Sequence, residues 1–294
     1  MDLVARASRI PVTGETVRGE KFKTHPGGKG ANQAVAVARL GYPVSMIGSL
    51  GTDAFGVELR NHLRTSGIDV SAVGSSETSS GVAVIIVAPT GDNVIVVTPG
   101  ANAAVSPADI AANLDRIRAA GLVLTQLEIP LETVEYLADV CAREGVPLML
   151  DPAPAQDLPA SVIRQSRWLT PNETEAAFFL AGGPLGPAEE VARKLLAKGP
   201  QAVALKLGSR GVYLADRNGL NRQIDAFAVR AVDSTAAGDC FNGAFATALM
   251  LGNDPTESAR FASAAAAVSV TRPGAQPSMP TLAEVQQMLS GKKF

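Results

Sequence analysis

The sequence contains few cysteines and few aromatic residues. Among its 294 residues are two cysteines, Cys141 and Cys240, and one tryptophan. The cysteines lie far apart, with no Cys-x-x-Cys spacing and no nearby histidine cluster, so they indicate neither a disulfide framework nor a zinc site. We expect two reduced thiols in a cytoplasmic protein.

Strong charge and long apolar runs are also missing. The formal net charge is -2 and like charges do not cluster, which disfavours binding to nucleic acid or to an anionic membrane. No apolar run approaches the ~18 to 20 residues that cross a bilayer, and the first residues lack the pattern of a signal peptide. With 46% hydrophobic residues the chain can bury a sizeable core. These features predict a protein that acts on small molecules.

Short β-branched runs alternate with helical patterns along the chain. Val44–Gly48 is followed by a helical pattern over residues 53–65, and the run at 122–124 is followed by another over 131–144. Further runs lie at 147–151 and 202–205. This alternation predicts an α/β fold, a doubly wound and mostly parallel central sheet with helices on both faces. Ligands bind such sheets at the carboxyl ends of the strands.

One segment breaks the alternation. Two β-branched runs, 81–87 and 94–98, flank a Pro-Thr-Gly-Asp-Asn turn, which predicts a β-hairpin. Together with residues of about 15–24, it predicts a small separate sheet that serves as a lid or as a contact with a second copy. The alternative is an edge extension of the main sheet. No linker or repeat divides residues 1–294, so we expect a single domain that carries these lid strands.

A small-residue turn opens a long alanine-rich helical pattern near the C-terminus. The turn reads Asp-Ser-Thr-Ala-Ala-Gly-Asp over residues 233–239. Backbone N–H groups and the dipole at a helix N-terminus suit a phosphate or a developing oxyanion, and Ala236, Ala237 and Gly238 let a ligand approach the backbone. Asp239 would repel an anion there, unless it takes a proton from the hydroxyl that attacks that anion. The alternative is that Asp239 only caps the helix.

A glycine-rich turn precedes an earlier helical pattern. It reads Gly-Gly-Lys-Gly-Ala-Asn-Gln over residues 27–33 and has neither the P-loop nor the dinucleotide-binding spacing. Lys29 and Asn32 offer donors to the hydroxyls of a polyol, and Glu128, at another predicted strand end, can accept a hydrogen bond from a sugar hydroxyl. The alternative is a glycine loop kept for packing.

Two further segments suit a nucleotide. Asn172 and Glu175 lie three residues apart, a spacing that can hold hydrated Mg²⁺ against phosphates or can begin an ordinary capped helix. Lys206 to Gly211 runs from a strand end into a tight turn, which serves as a nucleotide contact or merely faces solvent.

These motifs resemble the ribokinase family of carbohydrate kinases. The resemblance runs from Asp2 to about Ser278, through signatures at residues 27–34 and 233–243 and an element at 171–175 in the same order. It implies a doubly wound α/β domain with a small β-sheet lid, a homodimer formed through that lid, and MgATP-dependent phosphorylation of the 5-hydroxyl of D-ribose.

The resemblance also implies roles for individual residues. Asp239 would be the catalytic base, and the backbone of Ala236, Ala237 and Gly238 the anion hole. Sugar contacts would come from Asp2, Gly28, Lys29, Asn32, Glu128 and Asp239. ATP contacts would come from Asn172, Lys206, Leu207, Gly208, Ser209, Arg210, Gly211, Gly238 and Ser263, with Glu175 ordering the Mg²⁺ shell through water. A K⁺ site would be built from Asp233, Thr235, Ser269, Arg272, Gly274 and Ser278.

Two departures from the family pattern bear on function. Family members usually carry a buried strand ahead of the position of Asp2, whereas this chain starts at Met1. Without that strand we expect weak anchoring of Asp2 and impaired folding. Lys206 stands where the family usually has threonine, which bears on that nucleotide contact. The alternatives to a ribose kinase are a kinase for another small sugar or a nucleoside, and an inactive sugar- or nucleotide-binding protein.

Overall fold

The structure is a computed structural model that describes residues 1–291. Its strands are β1 (Asp2–Ala7), β2 (Gly19–His25), β3 (Gly48–Gly51), β4 (Val73–Ser76), β5 (Val82–Val87), β6 (Asn93–Thr98), β7 (Val123–Thr125), β8 (Leu148–Leu150), β9 (Trp168–Leu169), β10 (Ala202–Lys206), β11 (Val212–Asp216) and β12 (Asn221–Ile224). Its helices are α1 (Lys29–Arg39), α2 (Ala54–Thr65), α3 (Pro107–Ala112), α4 (Leu114–Ala119), α5 (Leu131–Glu144), α6 (Ala160–Gln165), α7 (Glu173–Phe179), α8 (Ala188–Ala197), α9 (Ala237–Met250), α10 (Pro255–Ser269) and α11 (Leu282–Leu289).

The largest sheet has six strands in the order β12-β11-β10-β9-β8-β7. Strands β7 to β10 pair in parallel, and β11 and β12 extend the sheet with antiparallel pairs. Side chains alternate across it: Ala204 packs in a core with α1, α9 and α10, whereas Leu205 packs in a core with α5, α6 and α8. Helices therefore cover both faces, and the predicted doubly wound α/β fold is confirmed.

A second sheet stands apart, with the order β2-β1-β5-β6. The predicted hairpin is β5 and β6, which pair antiparallel around a turn that contains Gly91 (φ 92°). Because these strands form a sheet of their own, the edge-extension alternative is wrong. Strand β1 was not predicted, and Asp2 pairs with His25 on one side and with Ala83 on the other. The expectation that Asp2 would be weakly anchored is therefore wrong.

The lid sheet has two different faces. Residues paired across neighbouring strands share a face, so Asp2 and Ala83 lie on the same side of this sheet. Both residues line a cavity of about 1160 Å³. The opposite face carries Phe22, Val84 and Val96, which are 63%, 43% and 60% exposed. The lid thus covers a cavity with one face and presents apolar side chains to solvent with the other.

Strands β3 and β4 form a separate parallel pair. The strand predicted at Val44–Gly48 begins only at Gly48, because β4 offers partners from that residue onward and Ser45 makes only an isolated bridge with Asp69. The cavity of about 1160 Å³ under the lid is also lined by residues of both β3 and β7. In the described part of the chain, β7 is the edge of the six-stranded sheet on that side.

Helices α1 and α9 pack closely because of Gly243. A Cβ atom on this residue would lie 2.7 Å from both the Ala36 Cβ and the Gln33 main-chain oxygen. Phe245, two residues further along α9, packs edge-on against Trp168 at 4.8 Å between ring centroids. This packing fixes the side chains of α1 next to the first turn of α9.

The helices themselves follow the sequence pattern. Helix α5 spans the predicted residues and ends at Gly145, whose φ of 71° is the left-handed conformation favoured by glycine at helix ends. Among residues 1–291, none of the helices has the length and hydropathy required to cross a bilayer.

Candidate active site

Asp239 lies in the first turn of α9 but does not cap it. The helix follows Ala236, which adopts a left-handed φ of 58° and provides no side-chain cap. The Asp239 carboxylate instead accepts hydrogen bonds from Asn32 Nδ2 at 2.9 Å and Gln33 Nε2 at 3.1 Å, and the residue is 6% exposed. The alternative of a purely capping role is therefore wrong.

Burial makes Asp239 a stronger base than an ordinary aspartate. Desolvation raises its pKa from 3.8 to about 6, and the nearby negative charge of Asp151 adds to that rise. Lys29 and the two amide donors oppose the shift. A carboxyl group with a pKa close to 6 is ionised at neutral pH and is still able to take up a proton.

Side-chain amides connect Asp239 to two residues that the sequence interpretation missed. Gln276 Nε2 donates to Asn32 Oδ1 at 3.0 Å, and Gln33 Nε2 donates to Asp151 Oδ2 at 2.9 Å as well as to Asp239. Gln33 and Asn32 are neighbours on α1, whereas Gln276 comes from a short 3₁₀ turn much later in the chain. The one sequence signal was the position of Asp151, directly after a buried strand.

Asp151 also forms a buried ion pair with Lys206. The Lys206 Nζ to Asp151 Oδ1 distance is 2.9 Å, and the side chains are 12% and 4% exposed. Asp151 follows β8 and Lys206 ends β10, so both stand at the carboxyl edge of the parallel strands. This edge is where doubly wound sheets bind their ligands.

The cavity brings together all of the predicted sugar-contact residues. Gly28 directly precedes α1 with a φ of 91°, and the Lys29 backbone N–H donates to Glu128 Oε2 at 2.8 Å. A side chain at Gly27 would collide with the Asp2 carboxylate, so the close approach of Asp2 accounts for one glycine of this turn. The cavity is lined by Asp2, Gly28, Lys29, Asn32, Glu128 and Asp239.

Charges on this side of the cavity are mixed. Burial raises the pKa of Asp2 and the pKa of Glu128. Burial alone would lower the pKa of Lys29, but the surrounding carboxylates, Asp239 first among them, leave it raised. Lys29 therefore stays charged beside several acidic groups, an arrangement that suits the hydroxyls of a polyol.

Two of the predicted nucleotide-contact residues, Asn172 and Lys206, meet at the end of β10. Asn172 caps the N-terminus of α7 in a capping box, in which its N–H donates to Glu175 Oε2 at 2.7 Å and its Oδ1 accepts from the Glu175 N–H at 2.9 Å. The capped-helix alternative for this pair is therefore realised. Burial raises the pKa of Glu175. Asn172 also forms an isolated parallel bridge with Lys206.

The turn after β10 is closed by its own backbone. The Leu207 N–H donates to the Gly211 main-chain oxygen at 2.8 Å, and Arg210 pairs with Glu173 on α7. Gly208 and Ser209 lie within this turn. Ser263 is buried in α10, and no hydrogen bond among the described residues joins it to the turn.

The small-residue turn joins the two sides of the site. The Ala237 N–H donates to the Ser234 main-chain oxygen at 3.2 Å, so this amide already has a partner within the turn. Lys206 Nζ lies 3.5 Å from the position that a Cβ atom would take on Gly238. Gly238 therefore adjoins both Asp239 and the ammonium group of Lys206.

The predicted K⁺ residues gather behind that turn. Asp233 accepts hydrogen bonds from the Thr235 N–H at 2.9 Å and from the Gly274 N–H at 2.8 Å, which ties residues 233–235 to the segment after α10. The Arg272 N–H donates to the Ser269 main-chain oxygen at 3.1 Å, whereas the Arg272 side chain turns away to Glu284. Ser278 Oγ donates to the Ala275 main-chain oxygen at 2.7 Å. Residues 1–291 contain no group of three or more His, Cys, Asp or Glu side chains placed to hold a metal ion.

Known proteins are similar to this chain in sequence and in fold. Residues 1–282 match the family described as pfkB family carbohydrate kinase. The ribokinase of Schizosaccharomyces pombe is 44% identical to the chain, over 99% of the chain and 96% of that protein. The ribokinase of Bacillus subtilis is 42% identical over the same shares. A solved structure of Arabidopsis thaliana ribokinase complexed with ribose and ATP superposes with a TM-score of 0.91 at 34% identity, covering 98% of this chain and 95% of that one.

Fold, site and sequence agree on the class of protein. The chain belongs to the pfkB family of carbohydrate kinases. It is an enzyme that transfers a phosphoryl group to a sugar hydroxyl.

Proposed function

We propose that the protein phosphorylates D-ribose on its 5-hydroxyl with ATP, yielding D-ribose 5-phosphate and ADP. The observation that carries this proposal is Asp239. Its buried carboxylate, with a pKa raised to about 6 by desolvation, belongs to the first turn of α9 and lines the cavity together with the predicted sugar contacts. The substrate assignment is supported by the ribokinases that the chain resembles over nearly its whole length.

In the proposed reaction Asp239 takes the proton of the sugar hydroxyl. The sugar oxygen then forms a bond to the γ-phosphorus, while the bond from that phosphorus to the β,γ-bridging oxygen breaks and its electron pair leaves with ADP. The amides of Ala236 and Gly238, at the positive end of α9, stabilise negative charge on the transferring group. Ala237 contributes less, because its N–H already donates to Ser234.

Asn32 has a double role in this proposal. Its Nδ2 holds the Asp239 carboxylate and its Oδ1 accepts from Gln276, which leaves one N–H and one lone pair of the amide for the sugar. The other sugar contacts are Asp2, Gly28, Lys29 and Glu128, all in the wall of the cavity.

ATP would lie against the small-residue turn of residues 233–239, on the side away from the sugar contacts. Its contacts are Asn172, the turn from Lys206 to Gly211, Gly238 and Ser263. Glu175 is the residue that would order the Mg²⁺ shell through water, since Mg²⁺ keeps most of its waters and needs few protein ligands. When bound, Mg²⁺ would neutralise charge on the phosphate oxygens.

We infer a K⁺ site from the oxygen-rich cluster behind the small-residue turn of residues 233–239, which we call the anion turn. Asp233 already binds Thr235 and Gly274 there, which fits a site of carboxylate, hydroxyl and main-chain oxygens. Ser269, Arg272 and Ser278 complete the predicted set. These residues would hold the turn in the geometry that its amides need.

We further propose a cytoplasmic homodimer formed through the lid. The outer face of the lid exposes Phe22, Val84 and Val96, an apolar surface suited to a second copy. Cys141 and Cys240 are buried and unpaired among the described residues, as suits a reducing compartment.

The test is ADP release from MgATP with and without D-ribose, in K⁺ buffer and in Na⁺ buffer. We expect release that depends on ribose and is faster in K⁺. Asp239→Asn should lower kcat by about 10² to 10⁴. Sugar-dependent release that survives this substitution would sink the mechanism. A panel of 2-deoxyribose, other small sugars and nucleosides then tests the substrate.

A further inference from the structure

The ammonium group of Lys206 lies over the backbone of the anion turn. Its Nζ is 3.5 Å from the Cβ position of Gly238, although the two residues belong to different elements. A side chain that is 12% exposed and paired with a buried carboxylate has little freedom to leave this place. A positive charge is therefore fixed beside the amides that would bind the transferring group.

Two ammonium groups divide the site between them. Lys29 lines the cavity with the predicted sugar contacts, and its backbone N–H is bound to Glu128. Lys206 lies on the side of the predicted nucleotide contacts, where its backbone forms an isolated β-bridge with that of Asn172 at the end of β10. Of the three N–H donors of the Lys206 ammonium, one is used among the contacts of the described residues, by Asp151.

We propose that Lys206 is a catalytic residue whose ammonium group contacts the transferring phosphoryl group at Gly238, and that Asp151 is the positioning residue that holds it there. This inference rests on the proposed function. Lys206 donates an N–H to a non-bridging oxygen of the phosphoryl group and keeps its proton throughout. The sugar oxygen bonds to the γ-phosphorus while the bond from that phosphorus to the β,γ-bridging oxygen breaks, and the sugar proton goes to Asp239.

Asp151 also couples Lys206 to the base. Gln33 Nε2 touches both carboxylates, at 2.9 Å from Asp151 and 3.1 Å from Asp239. When a phosphoryl oxygen shares the Lys206 charge, the negative charge of Asp151 is less compensated. That charge then favours proton uptake by Asp239. Nucleotide binding would thereby strengthen the base at the moment when it is needed.

A simpler role for Lys206 would be to neutralise Asp151. A buried carboxylate without its partner is strongly destabilising, so this role alone would account for the ion pair. The two roles differ when both charges are removed together. Neutralisation predicts that Asp151→Asn combined with Lys206→Met restores the wild-type kcat, whereas phosphoryl contact predicts that the double variant stays about 10²-fold slower.

Nucleotide binding without sugar gives a second readout, measured by calorimetry with MgADP and with a magnesium complex of a non-hydrolysable ATP analogue. Lys206→Met should weaken binding of the analogue at least tenfold more than binding of MgADP, because only the analogue carries a γ-phosphoryl group. Equal weakening of the two, or none, overturns the proposal. Lys206→Gln, which keeps a polar N–H donor on an uncharged side chain one atom shorter, serves in the same measurement if the methionine variant fails to fold.

The matched control is Lys194→Met. Lys194 pairs with Glu190 at 2.7 Å on an exposed face of α8, so its loss removes a lysine and an ion pair far from the site. This variant should bind and turn over as the wild type does. A wild type that shows no sugar-dependent turnover contradicts the proposed function. An active wild type whose Lys206→Met variant behaves like Lys194→Met contradicts only this inference.

The positioning role of Asp151 is tested by the pH profile of kcat/KM. The charged groups that act on Asp239 are Lys29 from α1 and Asp151 after β8. Asp151 is paired in turn with Lys206 at the end of β10, and Lys29 also faces Glu128 and Glu175. Asp151→Asn removes a negative neighbour of the base, so the acid limb should move to lower pH. A limb that stays in place overturns the coupling.

Discussion

Asp151 and Asp239 accept hydrogen bonds from the same side-chain nitrogen, Nε2 of Gln33, at 2.9 and 3.1 Å. One amide group thus holds two carboxylates at a fixed separation. Gln33 is 2% exposed, and its oxygen is held in turn by Gln126. The orientation of the base therefore depends on an α1 side chain that need not touch either substrate.

Gln33→Leu should raise the pKa of Asp239 above about 6, because the hydrogen bond from Gln33 stabilises the ionised form. The acid limb of kcat/KM should move to higher pH, with a larger loss of activity at pH 6 than at pH 8.5. Gln126→Leu is the control, since it leaves both carboxylate contacts in place. Equal shifts in the two variants would contradict the role given to Gln33.

Asp239→Asn should make the protein more stable at neutral pH. Folding raises the pKa of Asp239 from 3.8 to about 6, so between these values the folded protein keeps a proton that the unfolded chain releases. The free energy of unfolding of the wild type therefore falls as pH rises through this window, by up to about 3 kcal/mol. The asparagine variant does not undergo this loss.

Urea unfolding at pH 5 and at pH 7.5 measures this effect. The stability gap between Asp239→Asn and the wild type should widen as pH rises. A gap of the same size at both pH values would show that ionisation of Asp239 does not oppose folding.

Gly243→Ala should disturb both stability and catalysis. The added methyl group would meet Ala36 and the Gln33 main-chain oxygen at 2.7 Å, forcing α1 away from α9 at a cost of about 1 to 3 kcal/mol. Because α1 carries Asn32 and Gln33, kcat should fall as well. Gly74→Ala is the control, since its nearest contact is an ordinary 3.6 Å. Wild-type kcat in Gly243→Ala would argue against tight coupling of the helices.

Val96→Lys should convert the proposed homodimer to a monomer. The side chain is 60% exposed on the outer face of the lid, and a charge there would be costly to bury against a second copy. Sedimentation velocity measures the change, with Val57→Lys, at a 61% exposed residue of α2, as the control. A wild type that is monomeric at every concentration contradicts dimerisation through the lid.

Local pattern predicted much of the fold. Helix α5 and the β5–β6 hairpin follow directly from periodicity and turn residues, because neighbours in sequence determine them. Strand β1 could not be placed from such a pattern, since only its pairing with β2 and β5 assigns it to the lid. The start of β3 depends in the same way on where β4 offers partners.

In the site, too, local features could be predicted from the sequence, whereas contacts between distant segments could not. Turn composition and resemblance pointed to Asp239 and the sugar contacts. The contacts that support Asp239 indirectly were missed because they join distant segments: Gln276 reaches Asn32 across 244 residues and Lys206 reaches Asp151 across 55. An acid directly after a buried strand and a lysine at the end of another were the available signals, and neither indicates its partner.

The cavity between β3 and β7 has a consequence for hydrogen exchange. The Val123 N–H donates to the Pro147 main-chain oxygen at 2.9 Å, toward β8, so the N–H of the next residue, Leu124, points the opposite way, toward the cavity. In deuterated water the amide of Leu124 should therefore exchange faster than that of Val123, although both belong to one strand. A strand inside an α/β enzyme would then show protection on alternate residues, a pattern usually associated with the outer edge of a sheet.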